Sequence, residues 1–208
     1  MTSRYQTKMF SLSVQDAQDN MGSKKMYARN LHDPSAQHAD RLGPKERAFI
    51  AARDSFYIAS IGAGGWPYLQ HRGGPAGFLK TLGDGTLGFA DFRGNRQYIS
   101  LGNVADDDRV ALFFMDYVNR ARLKLMGRMR AVDLDPGGEL AGKLITPEYR
   151  GKPERAFLIE VEAFDWNCHQ HITQRFTAQQ LVQAVHPLQT RIETLEAELK
   201  KERARHAT

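Results

Sequence analysis

Short apolar segments separated by glycine turns fill the central chain, and segments 122–132 and 157–164 alternate apolar with polar residues, the two-residue period of strands with one buried face. Aromatic and β-branched residues dominate segment 56–61, a glycine-rich turn follows at 62–65, and segment 66–71 returns as a second strand. The same reading predicts further strands at 78–82, 87–90, 110–115, 122–132 and 157–164. Many short strands separated by glycine turns, with few helices, predict a mainly β barrel with flanking helices.

The two ends of the chain do not follow this alternation. Residues 1–40 are polar and predict an arm of short helical pieces that packs on the core or on a partner. Pro44 occupies a typical first position of a helix, so the barrel domain is assigned to residues 41–176. Residues 177–208 form a helical extension, in which Pro187 is expected to interrupt or restart the helix.

Apolar residues recur in this extension at steps of four and three residues. Leu188, Ile192, Leu195 and Leu199 follow this spacing between charged neighbours. Two interpretations stay open at this point. The helix docks on its own barrel, or it pairs with the same helix of a second copy.

Length, cysteine content and charge limit the number of domains, the cellular compartment and the kind of ligand that we expect. The 208 residues can bury roughly 70% of their unfolded surface in one domain. The single cysteine, Cys168, excludes an internal disulfide and favours a reducing compartment, the cytoplasm. We expect no signal segment and no membrane span, because no apolar run is long enough. Acids are mixed with bases around a net charge of +5, so we expect a small anionic ligand rather than nucleic acid.

The turn after segment 87–90 has the chemistry of an anion site. It carries Asn95, Arg96 and Gln97 before a predicted helix, and we interpret Asn95 as the N-cap of that helix. Unpaired N–H groups and the positive end of the helix dipole stabilise a phosphate at such a position. Arg96, with Arg93 nearby, adds charge-assisted hydrogen bonds.

Four ordered blocks carry a resemblance to a known family. They read QHRGGPAGFLK at 70–80, DFRGNRQYIS at 91–100, RLKLMGR at 122–128 and DWNCHQHIT at 165–173. Together they resemble the FMN-binding split-barrel family that includes pyridoxamine 5′-phosphate oxidase, from about Phe49 to Arg175. The resemblance implies a six-stranded antiparallel Greek-key barrel and a homodimer with FMN at the subunit interface.

The resemblance also implies roles for individual residues. Lys80 matches the basic residue that ends the first flavin-binding strand of the oxidases, and Arg72 is the candidate for the arginine before it. Arg96 matches the arginine of the phosphate turn. Gln97 stands where the oxidases usually have lysine, so one charged contact is replaced by an uncharged one.

Further implied contacts lie later in the chain. Arg122 and Lys124 are expected near the polar edge of the flavin ring, and Trp166 matches a tryptophan that approaches the cofactor from the other subunit. His171 is not carried over from the family; in the leading functional hypothesis below it is the candidate proton donor. The complete set of implied cofactor-binding residues is Arg72, Lys80, Asp91, Asn95, Arg96, Gln97, Arg122, Lys124, Trp166 and Arg175.

The residue pattern also allows plainer interpretations. Arg122 and Lys124 alternate with core-type residues, as on a solvated strand face. Trp166 has the position of a half-buried aromatic that caps a barrel. The pair His169 and His171 lacks a neighbouring carboxylate or cysteine pattern, so we predict no metal site.

The leading functional hypothesis is an FMN-dependent oxidoreductase that moves electrons between a nicotinamide nucleotide and a small-molecule acceptor. The oxidases bind their pyridoxal substrate with a C-terminal Arg-x-His segment, which this sequence lacks, so vitamin B6 oxidation is not expected. One alternative is a non-enzymatic flavin store, carrier or redox sensor. Another is a haem-binding split barrel with His71, His169 or His171 as the ligand.

Overall fold

A computed structural model describes residues 3–31, 33–166 and 170–206. The chain forms two compact units, the first comprising Met1–Asp116 and Ala121–Gln170, the second Tyr117–Arg120 and His171–Thr208. The helices are α1 (Ser3–Met9), α2 (Leu12–Asn20), α3 (Lys24–Leu31), α4 (Pro44–Ala51), α5 (Ile99–Asp106), α6 (Glu139–Leu144) and α7 (Ala178–His206), with a 3-10 turn at Pro34–Gln37.

One antiparallel sheet dominates the first unit. Its strands are β1 (Ser55–Ile61), β2 (Pro67–Gly73), β3 (Lys80–Thr81), β4 (Thr86–Phe92), β5 (Arg109–Asp116), β6 (Ala121–Val132) and β7 (Pro153–Trp166). They lie in the order β2-β1-β5-β6-β7-β4-β3. The predicted fold class, a mainly β split barrel with flanking helices, is therefore confirmed. The sheet has seven strands and not six, because Lys80 and Thr81 pair with β4 as a short extra strand.

Contacts between aromatic rings show that the sheet curls. Three strands separate β1 from β4 in the sheet, which would place them roughly 19 Å apart if it were flat. Phe56 of β1 nevertheless touches Phe89 of β4, with ring centroids 5.5 Å apart. Phe114 and Phe157 join the same buried cluster. The apolar faces of β1, β4, β5, β6 and β7 therefore point into one enclosed core.

The longest strands show the predicted alternation. Leu123, Leu125 and Met129 of β6 are buried, whereas Arg128 and Arg130, on the opposite face, are exposed. Apolar side chains are thus removed from water on one face of the sheet while the charged ones stay solvated.

A glycine marks an irregularity in the pairing of β6 with β7. The register shifts between Met126 and Gly127. A side-chain carbon at Gly127 would lie 2.6 Å from the carbonyl oxygen of Glu160, so the close approach of the two backbones requires glycine here.

The N-terminal arm is helical, and α1 packs against β7. Tyr5 and Gln6 are buried. Glu162 of β7 forms ion pairs with Arg4 at 3.0 Å and with Lys8 at 2.9 Å. These hydrogen bonds, Lys8 first and Arg4 second, outweigh burial and lower the pKa of Glu162 from 4.5 to about 2.

The second unit is mainly helix α7. A capping box opens it, because Gln180 N–H donates to Thr177 Oγ1 at 3.2 Å and Thr177 N–H donates to Gln180 Oε1 at 2.9 Å. The expected interruption at Pro187 is wrong, since α7 continues through it. Proline removes one helical hydrogen bond and its ring crowds the carbonyl four residues earlier, so a helix that continues through it does so at a cost.

Within the described part of the chain, no helix combines the length and the apolar composition that a bilayer span requires.

The ion pairs of Glu162 predict pH-dependent docking of α1. A depressed carboxylate pKa stabilises the docked state above pH 4.5, and this stabilisation is lost as the pH falls toward about 2. At neutral pH, Glu162→Gln should raise amide hydrogen exchange in residues 3–9 roughly three- to tenfold, the effect of losing two partly exposed ion pairs. Glu160→Gln, on the same strand face, is the matched control. Equal exchange in both variants would contradict this role of Glu162.

Candidate functional site

A polar cavity of about 160 Å³ lies where β2, β4 and the start of α5 meet. Arg72 of β2 and Asp91 of β4 line it, together with the turn residues Asn95, Arg96 and Gln97. The structure therefore brings five of the predicted cofactor-binding residues to one place.

The alternation of β2 selects which of its side chains reach the cavity. Tyr68, Gln70 and Arg72 share the half-buried face and pair with inward-facing residues of β1. His71 lies on the opposite face, with its ring 5.5 Å from that of Tyr57. Thus the strand directs one amide, one phenol and one guanidinium toward the cavity and directs the histidine away from it.

Arg72 and Asp91 form an ion pair at the cavity wall. Nη1 of Arg72 lies 2.7 Å from Oδ1 of Asp91, and Nη1 of Arg155 lies 3.6 Å from Oδ2 of the same carboxylate. Burial raises the pKa of Asp91, although the attraction of Arg72 and Arg155 opposes this rise. Two cations thus share one carboxylate that is costly to ionise.

Two nitrogen atoms of these cations remain available. Nε of Arg72 and Nη1 of Arg155 are buried and have no hydrogen-bond partner among residues 3–31, 33–166 and 170–206. Buried nitrogen atoms of charged groups normally donate a hydrogen bond, so these two atoms indicate that an acceptor is missing. An anion in the cavity would supply acceptors to Nε of Arg72, which belongs to a residue of the lining.

The turn before α5 has an unusual backbone. Arg96 and Tyr98 have φ angles of 61° and 53°, in the left-handed region that few residues other than glycine adopt. Oδ1 of Asn95 accepts a hydrogen bond from the N–H of Gln97 at 3.1 Å. This contact closes a local turn and presents Arg96 at the cavity rim.

The prediction that Asn95 is the N-cap of the helix is wrong. Helix α5 begins at Ile99, and Tyr98 occupies the N-cap position without a side-chain hydrogen bond. The first helical bond of this end runs from Gly102 N–H to Tyr98 O at 3.0 Å, so the N–H groups before it have no partner within the helix. The side chain of Ser100 is fixed by donating to Oε1 of Gln70 at 3.1 Å.

Arg93 does not join Arg96 at the cavity. Its Nε lies 2.7 Å from Oε1 of Glu154, and this hydrogen bond lowers the pKa of Glu154. Arg93 therefore binds the carboxylate of Glu154, a residue of the cavity lining, and does not line the cavity itself.

Lys80 lies in a different place. It pairs with Gly88 of β4, which is three residues from Asp91 and hence on the other face of that strand. There it lines a separate cavity with Thr81, Leu82 and Lys143.

Arg122 and Lys124 lie on the outer face of β6. Lys124 Nζ is 2.7 Å from Oδ2 of Asp165 and 4.9 Å from the ring centroid of Tyr5. Burial opposes the charge on Lys124, but the hydrogen bond and attraction of Asp165 outweigh it and raise the pKa of Lys124. Lys124 thus joins β6 to β7 beneath the N-terminal arm.

Trp166 ends β7 and is held by helix α4. Its Nε1 donates to Oε1 of Glu46 at 2.6 Å, its ring meets that of Phe49 edge-on, and Lys45 Nζ lies 4.2 Å from the ring centroid. Glu46 also accepts a hydrogen bond from the N–H of Gly43, so the tryptophan is anchored to the start of α4.

His171 and Arg175 belong to the second unit. His171 is exposed with a φ of 62°, and the guanidinium of Arg175 lies 4.9 Å from the ring centroid of Tyr117. His169, proposed as a haem ligand, and Cys168 lie outside the described residues. Among those that are described, no three histidine, cysteine or carboxylate side chains cluster as a metal site would require.

The sequence reasoning missed Gln70 and Ser100 of the cavity wall, and it missed Arg155, which pairs with Asp91. Gln70 and Ser100 stand in the quoted blocks, but only the pairing of distant segments shows that they bind each other. Arg155 precedes the predicted start of the last strand at residue 157, whereas β7 begins at Pro153. The alternation of residues 157, 159 and 161 extends back to Arg155, and this would have placed the Arg155 side chain on the same face of the strand.

A larger cavity of about 410 Å³ lies on the outer face of the sheet. Its lining is mainly apolar and includes Ala59, Ile61 and Ala111, with Met9 and Lys8 from α1. It contains none of the predicted cofactor-binding residues.

The sequence profile of pyridoxamine 5′-phosphate oxidase matches residues 42–166. The chain belongs to this family. The match covers the whole barrel and both strands of the Arg72–Asp91 ion pair, and it ends at Trp166. A search of curated proteins gives no significant match.

Solved structures give three further likenesses. HupZ from Group A Streptococcus is 13% identical, covers 65% of this chain and 100% of its own, and has a TM-score of 0.46. An FMN-binding protein from Syntrophomonas wolfei is 12% identical, with coverages of 71% and 96% and a TM-score of 0.41. The haem storage protein HutZ from Vibrio cholerae is 14% identical, with coverages of 60% and 94% and a TM-score of 0.39.

Proposed function

We propose that this protein is an FMN-binding oxidoreductase that binds the phosphate of FMN in the cavity beside Arg72. The observation that carries the proposal is the buried Nε of Arg72, a charged donor without a hydrogen-bond partner in the described chain. Membership of the pyridoxamine 5′-phosphate oxidase family supports the choice of FMN over other phosphates.

The residues present fit a dianionic phosphate. Arg72 would donate through Nε while Asp91 keeps its Nη1. Arg96 would add a second charge from the rim, and the free N–H groups at the start of α5 would add neutral donors. Gln97 would contribute a polar contact without charge.

The size of the cavity supports a site that is completed by a second copy. Its volume of about 160 Å³ is below the roughly 300–1,000 Å³ that encloses a whole ligand of flavin size. The outer sheet face also exposes apolar side chains, with Leu69 66% and Tyr57 40% accessible. We propose that a homodimer covers this face and encloses the flavin ring at its interface.

The redox part of the proposal rests on the chemistry of the cofactor. FMN would supply hydride and electron-transfer chemistry, which the side chains of this protein do not provide themselves. Arg122, on the outer face of β6, would favour the reduced, anionic ring by its positive charge. His171 stays the candidate proton donor. The electron donor we propose is a nicotinamide nucleotide, and the acceptor is a small molecule.

Ligand binding tests the first step. The purified protein should show a flavin absorption spectrum or acquire one when FMN is added. Riboflavin, which lacks the phosphate, should bind at least about tenfold more weakly, because it makes none of the charged hydrogen bonds. Equal affinity for the two compounds would contradict the phosphate site. A Soret band in the absorption spectrum of the purified protein would instead indicate that the bound cofactor is haem.

Substitutions at the cavity test the residues. Arg96→Ala should weaken FMN binding by about 1.5–3 kcal/mol, the size of a charged hydrogen bond, without unfolding the barrel. Arg72→Lys retains a cation for Asp91 but removes Nε, and it should weaken FMN binding in the same range. Arg130→Ala, an exposed arginine of β6 outside the cavity, is the control. Unchanged FMN affinity in Arg96→Ala would remove this residue from the site.

Anaerobic reduction tests the enzymatic role. Mixing FMN-loaded protein with NADPH or NADH should bleach the flavin absorption, and a suitable acceptor should restore it over many turnovers. Persistent colour with both nucleotides, in protein that binds FMN tightly, would instead favour a flavin store, carrier or sensor.

A further inference from the structure

Helix α7 carries a stripe of apolar side chains that are exposed in the described part of the chain. None of the residues of Ala178–His206 is buried. Its large apolar side chains are 43% to 66% exposed, at Leu181, Val182, Val185, Leu188, Ile192, Leu195 and Leu199. Exposed apolar residues in such a continuous row mark an interaction surface.

The spacing of the stripe is that of a coiled-coil seam. From Leu181 to Leu199 the apolar positions advance by steps of four and three residues. In heptad terms, Val185, Ile192 and Leu199 occupy position a, and leucine fills every d position from Leu181 to Leu195. The first two a residues are β-branched, and β-branched a with leucine d favours parallel two-stranded coils.

The charges beside the seam complement a second copy in the same direction. In a parallel, in-register pair, each g residue faces the e residue five positions later on the other helix. Arg191 at g then faces Glu196 at e, and Glu198 at g faces Arg203 at e. Both pairs have opposite charges, and the two-fold symmetry of a homodimer repeats each of them.

The remaining positions of the helix agree with this seam. Pro187 falls at position c, away from the partner helix, so its missing N–H does not disturb the interface. The hydroxyl groups of Thr190 and Thr194 donate to carbonyl oxygens of their own helix, four residues earlier. The seam ends at Leu199, because the next d position is Glu202.

We propose that α7 pairs with α7 of a second copy of this chain as a parallel, in-register coiled coil. This pairing does not depend on flavin binding, and its test involves no flavin. Just under three heptads of seam is short for an isolated peptide, so the pair works as one contact within the whole dimer, where other contacts raise the effective concentration of the helices.

Cysteine cross-linking of the full chain tests the pairing. In a Cys168→Ser background, Leu181→Cys and Leu195→Cys should each form disulfide-linked dimers under mild oxidation. Thr194→Cys, at position c, is the matched control and should cross-link at least about tenfold more slowly. Both core positions must react, because only a parallel, in-register pair brings each residue against its own copy at two distant layers.

Other cross-linking outcomes overturn the proposal. No linked dimer above the control at either position means that α7 docks elsewhere, including on its own barrel. Preferential linkage between a Leu181→Cys chain and a Leu199→Cys chain means an antiparallel pair, because antiparallel helices place d positions against a positions. Circular dichroism and thermal unfolding of each variant verify that the chain is folded.

Charge reversal tests the register independently. In the Leu195→Cys chain, Arg191→Glu places two glutamates opposite each other and should slow cross-linking several-fold. Adding Glu196→Arg restores an attractive pair and should restore the rate. If Arg191→Glu has no effect, or if the second change gives no rescue, the proposed register is wrong.

Discussion

The ion pair between Arg72 and Asp91 joins two strands that are far apart in the sheet. Four strands separate β2 from β4, yet the two side chains meet at 2.7 Å. This is only possible because the phenylalanine core draws the sheet into a barrel, which brings its two ends together. Removing one partner of such a buried pair typically costs about 3–5 kcal/mol, since the other charge is left without compensation.

The candidate site follows from this closure. A cavity forms where the ends of the sheet meet, and its wall is the ion pair that spans the gap. Asp91 fixes the direction of Arg72 by holding Nη1, and this leaves Nε for a ligand. The carboxylate also limits how much positive charge an anion meets. Because burial raises the pKa of Asp91, the ionisation of this carboxyl group responds to the charge of a ligand that enters the cavity.

The sequence predicted the positions of the strands and helices better than it predicted the contacts between them. Aromatic and β-branched segments between glycine turns located most strands, and alternation added the two longest, because both signals are local consequences of strand geometry. The turn at Asn95, Arg96 and Gln97 was predicted from its residue types and its place before a helix, whereas Arg72 was found through the family blocks. The N-cap was misassigned because Asn95 instead bonds the N–H of Gln97, a local competition that residue type alone does not decide. Lys80 and Arg155 depend on strand pairing and register, which are set by distant residues.

Helix α7 shows how a local pattern can specify a contact that a single chain does not contain. Hydrophobic spacing alone leaves two solutions, docking on the same chain or pairing with another. The charges reduce the choice, since Arg191 with Glu196 and Glu198 with Arg203 attract across a parallel pair only when both helices are in register. Docking on the same chain would give these four residues no reason to alternate in sign at that spacing. The arrangement of charge therefore favours a second copy as the partner of α7.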